Sequence, residues 1–384
     1  MQSYSITYSI PYVIIFLILL YLSYLEQRYN GNKTRKALRL ITFFLLLCFF
    51  GLRGYVASDW YSYTFYFDYI KPITTISLKE LLTTFYEPGF NLFTSIIKAI
   101  SDNYFFYVFI NSLIDLLLLN IVLKKYCSNY YVFAACIFFV FCGEFEINLL
   151  RNMKSILLFL ISIKYIENRK IWPFLLIMLC SLTFHLSAIF YIPFYFFGHR
   201  NNKKIFYVII SIGVIIYFFQ IQYITPIAKF IGSLLGGDYF LKAEGYILTD
   251  KSGVTFGSLY VFIPLILVIF NYNRLYKEND YNVIFLNMFF MYCISTLYFS
   301  EVLVFRQRFT ALFVFSLCVL LSQLLLYYKK SYSRTALLQL MFILLLSKAL
   351  LTNTPIVNKY DNLLFGIENY ESRVYTFTRF IKFD

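Results

Sequence analysis

The sequence predicts an all-α, polytopic integral membrane protein with about 12 transmembrane helices and further interfacial helices on its outer side. Three observations carry that prediction. Apolar residues make up 60% of the 384-residue chain and charged residues only 14%, whereas a soluble domain keeps about a quarter of its residues charged to build a polar exterior. Mean hydropathy is +0.68, and many apolar runs approach the roughly 20 residues that cross about 30 Å of hydrocarbon. Short basic segments interrupt those runs in alternation, as cytoplasmic loops require.

The elements follow in order. A first run at about 9–25 is closed by QRYNGNKTRK, with Arg28, Lys33, Arg35 and Lys36. The second, about 37–53, ends in GLRG, and a mixed outer segment over 54–103 follows. Within it GFNLFTSIIKAIS, about 89–101, is short and carries Lys98 in its apolar stretch. It reads as an amphipathic helix lying in the outer interface, with SLKELLTTFYE before it. The third run, about 104–123, is closed by Lys124 and Lys125; the fourth and fifth are about 130–148 and 151–166, the latter closed by ENRK. Two short runs, about 171–185 and 186–198, precede GHRNNKK. The eighth is about 204–222, and a second outer segment covers 223–256. Runs nine to twelve are about 257–272, 281–300, 307–328 and 336–352, and an outer tail over 353–384 ends the chain. The whole of 1–384 reads as one membrane domain. Its six basic loops alternate without a parity conflict, which makes them cytoplasmic and both termini external.

Composition also excludes classes. The formal charge of +14 suggests nucleic acid, but such proteins gather Lys and Arg into a stripe or tail, and here they sit mostly between apolar runs. The seven cysteines form no CxxC pair and no ligand spacing, so neither a structural zinc site nor a disulfide framework is expected. Cys48, Cys136, Cys142, Cys180, Cys293 and Cys318 lie in apolar runs and read as buried thiols. No GxxxxGK[ST], GxGxxG or GxSxG motif occurs, and no Asp-rich pair suggests a metal-bound sugar nucleotide. The N-terminus lacks a basic n-region, so the first run reads as a retained helix.

Ionisable groups in or beside apolar helices cost about 2.5–3.5 kcal/mol at mid-helix, which makes them the places to seek a site. In this topology they collect at the outer ends. In GLRGYVASDWYSYTFYFDYI, Arg53 ends the second run and Asp59 follows. With Ser58 as an N-cap, Asp59, Tyr63 and Tyr66 share a helix face. An interfacial helix with an aromatic belt and a snorkelling arginine explains the same residues. Glu87 in FYEPGFN precedes a proline and therefore sits at a turn. In GEFEINLLRNMKSILLF, Arg151 and Lys154 lie on one face of the fifth helix. Two cations entering the membrane together need an anion: either Glu144 or Glu146 within the chain, or a bound phosphate. His185 stands at the outer tip of the two short runs. In FSEVLVFRQRF, Arg306 and Arg308 face the same way if the segment is extended and diverge by about 200° if it is helical. Either Glu301 pairs with them or an anion does.

These stretches, in this order, resemble the EpsG-like family of polysaccharide-repeat polymerases. LRGYVASDWYSY resembles its block of an Arg, a small residue with Asp, and a Tyr; YEPGFNLFTSIIKAIS resembles the next, a Glu followed by Gly-aromatic. INLLRNMKSILLFLISIKYIENRKIWPFLLIMLCSLTFHLSAIFYIPFYFF resembles the central block, an Arg opening a helix, a basic break and a His-Leu-Ser-Ala hairpin. The likeness covers roughly 50–200, with RQRF beyond it. Arg151-Asn152 departs from the Arg-Gln common in such sequences, and Ser58 stands where Gly is common.

The resemblance implies a glycosyltransferase-C-like, Wzy-type O-antigen polymerase of the bacterial inner membrane with its active site facing the periplasm. Its partners would be donor and acceptor oligosaccharides on undecaprenyl diphosphate, membrane lipid and a chain-length regulator, with no nucleic acid, metal or cofactor. A glycosyl diphosphate donor needs cations for the leaving diphosphate and a base for the acceptor hydroxyl. Arg53, Arg151, Lys154, Arg306 and Arg308 are the candidates for the first role, and Asp59, then Glu87 and His185, for the second. Trp60 and Tyr63 are candidates for stacking on sugar rings. A lipid-linked oligosaccharide flippase would show two related halves and mid-membrane charges, and no repeat is found. An O-antigen ligase or a membrane acyltransferase would carry a similar constellation.

Overall fold

The computed structural model describes residues 4–29, 31–235, 253–328 and 331–380. Among these the elements are helices, and no β-strand forms. The part of the second outer segment at 236–252 lies outside the described residues. By packing, the helices fall into two compact units, one up to Phe196 and from Tyr328, the other Phe197–Tyr327.

The first unit begins with α1 (Ile10–Arg28), which carries Pro11 in its first turn, where a missing N–H costs nothing. Then come α2 (Asn32–Gly51), α3 (Trp60–Tyr69), α4 (Leu78–Thr83) and α5 (Pro88–Ile100). α6 (Tyr104–Tyr126) is capped by the Asn103 side chain, which accepts from the N–H groups of Phe105 and Phe106, and it ends on Lys124 and Lys125. Both ends thus suit the helix dipole. α7 (Tyr131–Asn148), α8 (Leu150–Glu167) and α9 (Ile171–Phe184) follow, then a 3-10 turn over Leu186–Tyr191 and the short α10 (Phe194–Phe197). After the second unit the chain returns as α17 (Ser331–Leu351) and a terminal α18 (Tyr370–Phe380). Within this unit α1 packs on α2, α7 and α17; α2 and α8 both pack on α6; and α9 packs on α8 and α5.

The second unit holds α11 (Lys203–Phe219), α12 (Ile224–Leu235), α13 (Leu259–Glu278), α14 (Asn282–Tyr298), α15 (Leu303–Phe313) and α16 (Ser316–Tyr327). Its centre is α14, which packs on α11, α13, α15 and α16.

The polytopic prediction holds, but the structure does not show twelve spans. Among the described residues five helices are long and apolar enough to cross, and α15 with α16, bent by 54°, makes a sixth if taken as one span. The other apolar runs fall short for identifiable reasons. α2 opens with Lys33, Arg35, Lys36 and Arg39, and α8 carries Arg151, Lys154, Lys164 and Glu167. α9 has 14 residues, about 21 Å of helix. The run expected at 186–198 contains Pro193, which interrupts helix, and only a 3-10 turn and four helical residues form. α5, with 13 residues, is likewise too short to cross. It buries Phe90, Asn91, Thr94, Ser95 and Ile97 and leaves Leu92, Ile96 and Ile100 exposed. Cys136, Cys142, Cys293 and Cys318 are buried, but Cys48 and Cys180 are exposed, because an apolar outer face costs a membrane protein nothing.

Candidate active site

The charged candidates of the first unit gather round the junction of α7 and α8, where Leu149 alone interrupts the helix. They form two tiers. Asp59, Glu87, Arg151 and His185 are partly exposed, while Arg53, Asp115, Glu146 and Lys154 lie buried.

In the exposed tier Arg151 opens α8 and pairs with Glu87 at 2.5 Å. Its guanidinium also lies 3.9 Å from the centroid of the Tyr86 ring, a cation–π arrangement that fixes the plane of the fork. Glu87 is the N-cap of α5, directly before Pro88 at the first helical position, so the predicted turn is present. Its second oxygen accepts from the N–H of Leu186 at 3.2 Å. That ties the His185 turn to the same pair. The His185 ring nitrogen Nδ1 accepts from the N–H of Ser187 at 3.1 Å, and the Ser187 hydroxyl donates to Asn152 at 2.8 Å. Gly89 makes the approach of α5 to α9 feasible: a Cβ there would stand 2.2 Å from Thr183 Oγ1 and 2.9 Å from the Thr183 carbonyl oxygen.

Asp59 joins from the other side. The Asn148 side-chain oxygen, at the end of α7, accepts from the N–H groups of Ser58 at 3.0 Å and Asp59 at 3.2 Å. Asp59, and not Ser58 as expected, is the N-cap position of α3; the Ser58 hydroxyl instead donates to Asp59. The carboxylate is close enough to act electrostatically on Tyr63 and Tyr86, which flank Arg151.

In the buried tier Lys154 donates to Asp115 at 3.0 Å, Asn111 at 2.8 Å and the Leu150 carbonyl at 3.3 Å. Arg53 donates to the Phe50 carbonyl, to Ser112 at 3.0 Å and to the Ile147 carbonyl at 3.3 Å. Glu146 is the carboxylate acting most strongly on Arg53, and neither of its oxygens accepts a hydrogen bond from a described residue. Lys154 and Asp115 thus form a buried ion pair, while Arg53 is held by two carbonyls and a hydroxyl. The anions expected for Arg151 and Lys154, Glu144 or Glu146, are replaced by Glu87 and Asp115. Arg53 and Lys154 stand behind the accessible face and do not reach it in this conformation.

Other candidates lie elsewhere. Trp60 is buried under Tyr55, Tyr370 and Phe377, and Tyr63 packs on Tyr86 and Phe90, so neither ring presents a face for stacking on a sugar. Arg306 and Arg308 belong to the second unit. Both lie on the helix α15 instead of an extended segment, so they diverge, with Arg306 half-buried and Arg308 exposed. Glu301 accepts from three successive N–H groups, those of Tyr223, Ile224 and Thr225, and so closes the start of α12. Among the described residues no three His, Cys, Asp or Glu side chains gather to hold a metal.

Sequence reasoning missed Asp115, Asn148 and Asn152. Asp115 carried a signal, an acid inside the apolar run of α6, where a charge calls for a partner. Asn152 stood out only as a departure from the Arg-Gln common in the resembled family, and Asn148 carried no signal, since asparagine near a helix end is ordinary.

No curated protein and no solved structure matches the chain. The model of the EpsG family matches residues 36–365, which include both tiers, and the chain therefore belongs to the EpsG family.

Proposed function

We propose that the chain is a polymerase that joins oligosaccharide repeat units carried on undecaprenyl diphosphate at the periplasmic face of the bacterial inner membrane. Membership of a family associated with Wzy-type polymerases supports it. The observation that carries it is the Arg151–Glu87 pair, a guanidinium held through one nitrogen by one carboxylate oxygen at a partly exposed helix start, whose fork can take a phosphate in its place. The acceptor hydroxyl oxygen attacks the anomeric carbon of the donor, the bond from that carbon to the diphosphate breaks, and the electron pair leaves on the diphosphate. Arg151 exchanges Glu87 for the diphosphate and stabilises the growing charge. Arg53 and Lys154 add their field from behind. Asp59 takes the proton of the acceptor hydroxyl, with Glu87, released from Arg151, and His185 as further candidates. The outer segments guide the polyprenyl chains into the site, and a chain-length regulator is a further partner.

The test is incubation of the purified protein with undecaprenyl-diphosphate repeat units. A product ladder supports the reading; movement of the lipid between leaflets without new bonds overturns it in favour of a flippase. Arg151→Ala should leave the protein inserted and abundant yet lower transfer by about 10²–10³-fold, the loss typical of one donor to a developing oxyanion. A normal ladder from that variant removes Arg151 from the site.

A further inference from the structure

The loop that carries Arg53 and Asp59 is not held by its own helices. Its backbone turns through Ala57 at φ 68°, a left-handed conformation that costs a non-glycine residue about 1 kcal/mol or more unless its surroundings enforce it. Its backbone polar groups also need partners once buried, and beyond those Asn148 gives to Ser58 and Asp59 the C-terminal segment supplies several. Gly54 N–H donates to the Asp361 carbonyl at 3.1 Å, Ala57 N–H to the Val357 carbonyl at 2.8 Å, and Leu363 N–H to the Leu52 carbonyl at 2.8 Å. Gly54 has no room for a side chain here, since a Cβ would stand 2.2 Å from Asp361 Oδ1.

One side chain fastens the rest. Arg373, on α18, is 2% exposed. Its Nε donates to the Tyr55 carbonyl at 2.5 Å, and its two terminal nitrogens donate to the Lys359 carbonyl at 2.5 Å and to Glu368 at 3.2 Å. One guanidinium thereby joins the loop, the chain leading to α18, and α18 itself. Aromatic contacts extend the seam: Phe377 packs on Trp60 and stacks on Tyr61 at 5.1 Å between centroids, and Tyr360 stacks on Phe49 at 4.3 Å. The family match ends at residue 365, so Glu368, Arg373 and Phe377 lie beyond it.

We infer that Arg373 is a positioning residue, and that through it the segment 354–380 holds the Arg53–Asp59 loop in register with the α7–α8 junction. The charge on Arg373 matters less than its fork, which meets two carbonyls and a carboxylate at once. Its part in the transfer reaction rests on the polymerase reading above, with Asp59 meeting the acceptor and Arg151 the donor; the docking itself does not.

Two measurements keep these apart. With Cys48 and Cys180 replaced by Ser, Tyr61→Cys and Phe377→Cys should be joined by a short bismaleimide in membranes. Adding Arg373→Ala should cut that yield at least threefold. No cross-link in the first protein, or an equal yield in the second, overturns the docking role whatever reaction the chain performs. In the transfer assay, Arg373→Ala should raise KM for the acceptor about tenfold and leave KM for the donor unchanged, with Arg373→Lys in between. With rates normalised to the monodisperse folded protein, an unchanged kcat together with unchanged KM values signals loss of folded protein only and overturns the positioning role. An unsubstituted chain that transfers no sugar overturns the polymerase reading and the catalytic half of the inference together.

Discussion

Removing Asp115 tests the buried tier most directly. Lys154 and Asp115 are 2% and 0% exposed and 3.0 Å apart. At an effective dielectric of about 20 that separation gives roughly 5 kcal/mol of attraction. Losses on removing one partner of a buried pair run about 3–5 kcal/mol, because the remaining charge has lost its partner, whereas replacing both by apolar residues is often neutral. Asp115→Leu should therefore lower stability by about 3–5 kcal/mol, and Asp115→Leu with Lys154→Met should recover most of it. The assay is thermal unfolding of detergent-purified protein, followed by loss of the monodisperse peak, beside membrane abundance. A double variant no more stable than Asp115→Leu would refute the reasoning. Activity then separates structure from chemistry: if the field of Lys154 serves the transfer, the double variant is stable but slow.

Three further outcomes are expected. Gly89→Ala should cost about 1–3 kcal/mol by forcing α5 off Thr183, read as a lower unfolding temperature and weaker transfer. Arg151→Lys should also be impaired, because an ammonium cannot grip a diphosphate at two points; full activity would show that charge alone suffices. Burial raises the Glu368 carboxyl, but its hydrogen bond from Ser372 and the charges of Lys359 and Arg373 outweigh that and hold it below the ordinary value of 4.5. Its contribution to docking is therefore complete above pH about 4.5 and lost as the pH falls through the lowered value, so the unfolding temperature of the detergent-purified protein should fall in that range and Glu368→Gln should lessen this dependence.

Local patterns were legible in the residue order alone. The apolar fraction and the paucity of charge decided the membrane class, since only a lipid-facing exterior tolerates them. The limits of α8 and the placing of Arg151 and Lys154 on one face follow from helical spacing. Glu87 as the residue opening α5 follows from the proline after it. These are properties of a few consecutive residues.

What depends on distant partners only the tertiary structure decided. Asp115 and Lys154 lie 39 positions apart, and periodicity says nothing about which charges meet across helices. Apolar runs show where helix is possible, but Pro193, the charges of α2 and the bend of 54° between α15 and α16 reduce the spans that twelve runs suggested. Trp60 and Tyr63 look like a binding surface until other rings cover them. The tail over 353–384 reads as a loose end, yet Arg373 reaches back 318 positions to Tyr55. Buried backbone groups take whatever partner the fold brings to them, and no local pattern names it in advance.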